Sequence, residues 1–60
     1  MITTVYQGTV TEWRSRTDAM EYFQDKMITA PGDSEVEERC LAIYAQLVFG
    51  KDFCTDGGIR

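Results

Sequence analysis

Few residues of this chain have side chains that could do chemistry, and the cysteines come first among them. Cys40 and Cys54 are its two cysteines, and the sequence contains no histidine. A zinc site needs about four cysteine, histidine or acidic ligands at close spacing, and this pattern does not supply them. Two buried free thiols are the favoured interpretation, and a disulfide between them is the alternative. We expect no bound metal.

The lack of histidine also bears on catalysis. Gly32-Asp33-Ser34 resembles the Gly-Asp-Ser box of some esterases, but such a serine needs a histidine to activate it. The adjacent acids Glu37 and Glu38 show no sign of sharing a buried cleft, which a catalytic carboxylate pair requires. The sequence therefore predicts that the chain is not an enzyme and binds no cofactor.

Acidic residues are concentrated in the middle of the chain. The 60 residues carry a net charge of −4, and within residues 17–38 seven acids against one base give −6. Phosphate contacts need a basic face, so direct nucleic-acid binding is not expected. Three of these acids share one face of a predicted helix and could meet a basic protein surface. This acidic face consists of Asp18, Glu21 and Asp25.

β-Branched and aromatic residues dominate residues 2–13, which is typical of β-structure. The apolar alternation breaks at Gly8, and two interpretations restore it. In one, a single long strand carries a bulge at Gly8. In the other, which is favoured, Gln7-Gly8 is a hairpin turn, although Gln is a poor residue for its left-handed first position. The cross-strand pairs would then be Val5–Val10, Thr4–Thr11 and Ile2–Trp13.

Two helices are predicted next. Ser15 begins a capping-box variant, and apolar residues at helical spacing indicate a first helix from Arg16 to Met27. Arg14 and Arg16 flank this start, and a solvated pair of arginines is favoured there over a small anion site. A proline–glycine turn separates the first helix from a second one, which runs from Ser34 to Phe49.

The remaining residues complete an α+β fold. Residues 52–56 are typical of a short strand, and residues 57–60 of a frayed tail. Because two antiparallel helices return the chain to its starting end, the last strand should run antiparallel to the strand before the first helix. We predict one domain, 1–60, in which a small antiparallel sheet packs on an αα-hairpin. That sheet combines the N-terminal hairpin or bulged strand with the short C-terminal strand.

The second helix is unusually apolar. Gln46 is the only polar residue between Cys40 and Phe49. A helix that is apolar on nearly every side is normally buried on most of them, and 60 residues offer little material to cover it. We therefore expect a homo-oligomer, with a dimer favoured, or a complex with another protein. The candidate interface residues are Leu41, Tyr44, Val48 and Phe49.

These patterns favour a non-enzymatic protein–protein interaction module that self-associates through the second helix. The alternative is an acidic inhibitor or nucleic-acid mimic, which would use its acidic face against a basic nucleic-acid-binding protein. The first residues lack the basic start and apolar run of a signal peptide. No stretch reaches the roughly 18–20 apolar residues of a membrane span. A cytoplasmic location without membrane contact is expected.

Three segments form a further pattern: Val5–Trp13, which is followed by a short amphipathic helix, Glu38–Leu47 and Phe53–Asp56. Together they resemble short uncharacterised proteins carried on mobile elements of gut Firmicutes. The resemblance covers most of the chain and brings no catalytic motif with it. It implies a setting of conjugative or phage-derived DNA, and it assigns no functional residue.

Overall fold

The computed structural model describes residues 1–29, 32 and 34–57. Most of the turn before the second helix and most of the predicted tail lie outside these residues. The described chain forms β1 (Ile2–Tyr6), β2 (Thr9–Trp13), α1 (Arg16–Thr29), α2 (Ser34–Phe49) and β3 (Phe53–Thr55). This is the predicted α+β fold. α2 has its predicted bounds, whereas α1 extends past Met27 to Thr29.

β1 and β2 form the predicted hairpin and not a bulged strand. The observed pairs include the predicted ones, Ile2–Trp13, Thr4–Thr11 and Val5–Val10. Gln7 and Gly8 have φ angles of 49° and 81°, both positive as a type I′ turn requires. The left-handed conformation is unusual for Gln7, and a tertiary contact stabilises it. The Gln7 N–H donates a hydrogen bond of 2.9 Å to Oδ2 of Asp56.

The sheet is mixed, so the prediction of a wholly antiparallel sheet is wrong in one pairing. The strand order is β2-β1-β3, and β3 pairs with β1 in parallel. β3 does run antiparallel to β2, as expected, but it lies on the far side of β1. The helices explain this position, because α1 packs against β2 while α2 packs against β1 and β3. The chain that leaves α2 therefore reaches the outer edge of β1.

Both helices pack on one face of this sheet and enclose a small core. The buried apolar residues are Ile2, Ala19, Phe23, Cys40, Ile43, Leu47 and Cys54. Thr4 is buried beside them, and its Oγ1 accepts a hydrogen bond of 3.0 Å from the indole Nε1 of Trp13. Neither described helix has the length and apolar character needed to cross a membrane.

Ser15 caps α1 as predicted. Its Oγ accepts hydrogen bonds from the N–H groups of Thr17 at 3.1 Å and Asp18 at 3.4 Å. These groups lie in the first turn, where backbone donors have no partner within the helix. The carboxylate of Asp18 lies near the same end, where the helix dipole favours a negative charge.

Arg16, the first residue of α1, caps the C-terminus of α2. Its Nη1 donates to the carbonyls of Leu47 at 3.0 Å and Lys51 at 2.7 Å. Its Nη2 donates to the carbonyl of Gly50 at 3.3 Å and pairs with Oδ1 of Asp52 at 2.8 Å. The expectation of a solvated arginine is therefore wrong here, because the carbonyls at the C-terminus of α2, the negative end of the helix dipole, attract a cation and its donors.

Replacing Arg16 by Ala should lower the free energy of unfolding by about 2 kcal/mol, because three carbonyls and a carboxylate lose a charged donor. Urea denaturation followed by circular dichroism measures the change. Arg14→Ala is the control, since the side chain of Arg14 is exposed and its removal should matter by no more than about 0.5 kcal/mol. Equal losses in the two variants would contradict the capping role.

Candidate functional site

α2 has one buried apolar face and one exposed apolar face. Its core residues lie against the sheet and α1, and the opposite side carries the α2 stripe, which is Leu41, Ala45, Val48 and Phe49. Leu41, Val48 and Phe49 are 53%, 58% and 84% exposed. Tyr44, the fourth candidate interface residue, is half-buried at the margin of the stripe. The structure thus places three candidate interface residues together at the surface.

A second apolar surface lies on the outer face of the sheet. Phe53 and Val10 are both more than half exposed there. The alternation along β3 is the signal that leads to Phe53, because its neighbour Cys54 is fully buried toward the helices. Neither residue was selected as an interface candidate from the sequence, since the position of β3 in the sheet was needed to place them.

The acidic face lines an open concavity of about 550 Å³ on the outer side of α1. All three of its acids take part, so the structure brings together the residues that the sequence grouped. The rest of the lining is Trp13, Tyr22, Gln24 and Ile28. Trp13 is the last residue of β2, so the concavity begins where the sheet meets the helix.

Aromatic rings form one wall of this concavity. The rings of Trp13 and Tyr22 have centroids 5.2 Å apart, and the hydrogen bond to Thr4 fixes the indole. The ammonium of Lys26 lies 5.3 Å from the ring centroids of both Tyr6 and Tyr22. The concavity therefore offers negative charge and aromatic surface side by side, a combination that attracts cations.

Asp56 is a buried carboxylate with a structural role. It is 5% exposed, and its Oδ2 accepts the Gln7 N–H and pairs with Nη1 of Arg39 at 3.2 Å. Nη2 of Arg39 also pairs with Glu35 at 3.2 Å. The hydrogen bonds to Glu35 and then to Asp56 hold the pKa of Arg39 above its usual value. These bonds tie α2 to the hairpin turn, and sequence reasoning missed all of them.

The cysteines are free thiols, and both are fully buried. The favoured interpretation is confirmed, and the disulfide is absent. Burial raises the pKa of Cys40 and of Cys54 above the ordinary thiol value. A buried thiol with a raised pKa is a poor nucleophile and a poor metal ligand. Within residues 1–29, 32 and 34–57, no group of three or more cysteine or acidic side chains could hold a metal ion.

Comparisons with protein-family models, with curated proteins and with solved structures find no match. A function must therefore be inferred from the surfaces of the molecule. Three surfaces are candidates: the α2 stripe, the outer face of the sheet, and the acid-lined concavity on α1.

Alkaline pH should destabilise the fold through its thiols. Because burial raises the pKa of both groups in the folded state, their stabilising contribution is complete below the ordinary thiol pKa of about 8.5. It is lost as the pH rises through the folded-state pKa. The urea midpoint should fall between pH 8 and pH 9.5 more steeply than in Cys40→Ala/Cys54→Ala. Parallel pH profiles for the two proteins would refute this assignment.

Proposed function

We propose that this chain is a non-enzymatic protein–protein interaction module that self-associates through the α2 stripe. The observation that carries the proposal is the exposure of Leu41, Val48 and Phe49 on the helix face opposite the core. Burying a large apolar side chain is worth about 1.5–3 kcal/mol, so three of them on one face favour association.

The size of the core supports the same proposal. Among the residues that the structure describes, seven apolar ones are buried, and two of them are cysteines and one is alanine. A domain of 60 residues buries a modest share of its surface and gains marginal stability from its own core. A partner that covers α2 would add apolar burial that the chain does not provide for itself.

The spacing of the α2 stripe suits a two-fold antiparallel pairing. Leu41 and Phe49 lie one helical turn on either side of Ala45, whose small side chain permits a close approach of two helices. In a two-fold pair centred on Ala45, Leu41 of one copy packs against Phe49 of the other. The first-turn acids of one copy, Glu35 and Glu37, then lie at the opposite end of the interface from those of the other copy. A parallel pair would bring these like charges together.

The buried thiols support the non-enzymatic part of the proposal. Cys40 and Cys54 are the most nucleophilic side chains of this histidine-free sequence, and the fold keeps both away from solvent. The carboxylate of Asp56 is bonded to the hairpin turn and to Arg39. Groups that could carry a reaction are thus used to hold the fold together.

The double variant Leu41→Asp/Val48→Asp should be a folded monomer, because two charges would be buried without partners in the proposed interface. The unaltered chain should elute with twice the 6.8 kDa mass of one copy. Size-exclusion chromatography with light scattering at micromolar concentration measures both masses.

The matched control is Thr17→Asp/Gln24→Asp, which adds the same charge at exposed positions of α1 and should remain a dimer. Far-ultraviolet circular dichroism shows whether each variant is folded. Self-association is disproved if the unaltered chain is a monomer, or if the control dissociates as fully as the α2 variant.

An acidic inhibitor or nucleic-acid mimic is the second candidate function. It is supported by the grouping of Asp18, Glu21 and Asp25 around one open concavity. Such a surface would bind a basic nucleic-acid-binding protein in place of its nucleic acid.

Binding to basic nucleic-acid-binding proteins should weaken with salt and with the loss of the acidic face. Asp18→Asn/Asp25→Asn should reduce retention in a pull-down at low salt, and high salt should abolish it. Glu37→Gln/Glu38→Gln removes the same charge from α2 and should retain binding. If retention changes neither with the salt concentration nor in Asp18→Asn/Asp25→Asn, nucleic-acid mimicry is contradicted.

A further inference from the structure

The two outer edges of the sheet differ in how their backbone groups are hydrogen-bonded. At the β3 edge, the side-chain amide of Gln46 takes the place of a neighbouring strand. Its Nε2 donates to the carbonyl of Thr55 at 2.8 Å, and its Oε1 accepts the Thr55 N–H at 3.3 Å. The single polar residue in the apolar half of α2 thus satisfies the outward N–H and C=O of Thr55 on this edge.

The β2 edge has no such cover among the described residues. In a hairpin closed by two residues, Tyr6 and Thr9 exchange both of their backbone hydrogen bonds. The alternation then directs the N–H and C=O groups of Val10 and Glu12 away from β1. No hydrogen bond to these four groups is found within the part of the chain that the structure describes. Thr9–Glu12 are all exposed.

The free edge and the acid-lined concavity adjoin each other at Trp13. Trp13 ends β2 and also lines the concavity. The side chains of Thr11 and Trp13 project to the helix side of the sheet, because their partners Thr4 and Ile2 are buried there. A strand added along β2 would therefore direct every second side chain toward the concavity.

We infer that the outer edge of β2 accepts an extended basic peptide as a fourth strand. Val10 and Glu12 supply the backbone hydrogen bonds. Lys or Arg side chains at alternate positions of the peptide reach the concavity, where Asp18, Glu21 and Asp25 balance their charge and the rings of Trp13 and Tyr22 lie beside them. The intervening side chains are apolar and lie beside Val10. This inference rests on the second candidate function and is independent of self-association.

A labelled, acetylated peptide of alternating Lys and Val is the probe. Fluorescence anisotropy should show saturable binding at low salt. In nuclear magnetic resonance spectra, the backbone amide signals of Val10 and Glu12 and the indole N–H signal of Trp13 should shift when the peptide binds. Val10→Pro removes an outward N–H without removing a hydrogen bond to β1 and should weaken binding about tenfold. Asp18→Asn/Asp25→Asn should weaken it by about as much or more.

Three comparisons can overturn the inference. A peptide N-methylated at every amide keeps its charge but has no N–H to donate to the outward carbonyls of Val10 and Glu12, and equal binding of that peptide would exclude strand addition. Equal binding of a Glu-Val peptide would exclude charge recognition. Glu37→Gln/Glu38→Gln should leave binding unchanged, and a loss equal to that of Asp18→Asn/Asp25→Asn would show a net-charge effect only.

The same measurements separate this inference from the proposed functions. If the Lys-Val peptide does not bind while basic proteins are still retained through Asp18 and Asp25, strand addition fails and the inhibitor proposal stands. If neither binds, both fail. Leu41→Asp/Val48→Asp should bind the peptide as the unaltered chain does, whatever its oligomeric state.

Discussion

The guanidinium of Arg16 joins the start of α1 to the end of α2, and the position of β3 depends on that junction. A helix C-terminus leaves carbonyl groups without partners inside the helix, and here a single side chain donates hydrogen bonds to three carbonyls at and just beyond the end of α2. The same group pairs with Asp52, the residue before β3. The chain turns out of α2 at Gly50, whose φ is 97°, and Arg16 then holds the residues that follow this turn.

Asp56 anchors the opposite end of β3. It follows the strand directly, is nearly buried, and bonds both the Gln7 N–H and Arg39. β3 has only three residues, so its pairing with β1 supplies few backbone hydrogen bonds. With Arg16 before it, Asp56 after it and Gln46 along its outer side, every boundary of this strand is fixed by a side chain.

Local signals were enough to predict the elements, and long-range contacts decided the rest. The hairpin register, the cap at Ser15 and the bounds of α2 follow from neighbouring residues, and all were predicted correctly. The parallel pairing of β3 with β1 was not predicted, because it depends on which helix packs against which strand. The acidic face was grouped correctly because helical spacing alone brings its members together. Trp13 could not be added to it without the tertiary packing.

The parallel pairing of β1 with β3 has a consequence for the order of folding. The hairpin and each helix form from nearby residues, whereas the bond between Gln7 and Asp56 joins positions 49 residues apart. Closing so long a loop costs chain entropy before the contact forms, so we expect β3 to join the sheet after the hairpin and the helices have formed. Both thiols are buried in the core, Cys54 on β3 and Cys40 on α2, so we expect Cys54 to be exposed when β3 leaves the sheet and Cys40 when α2 undocks. Exposure of Cys54 alone would therefore report a partial opening of the domain, and exposure of Cys40 would report its global unfolding.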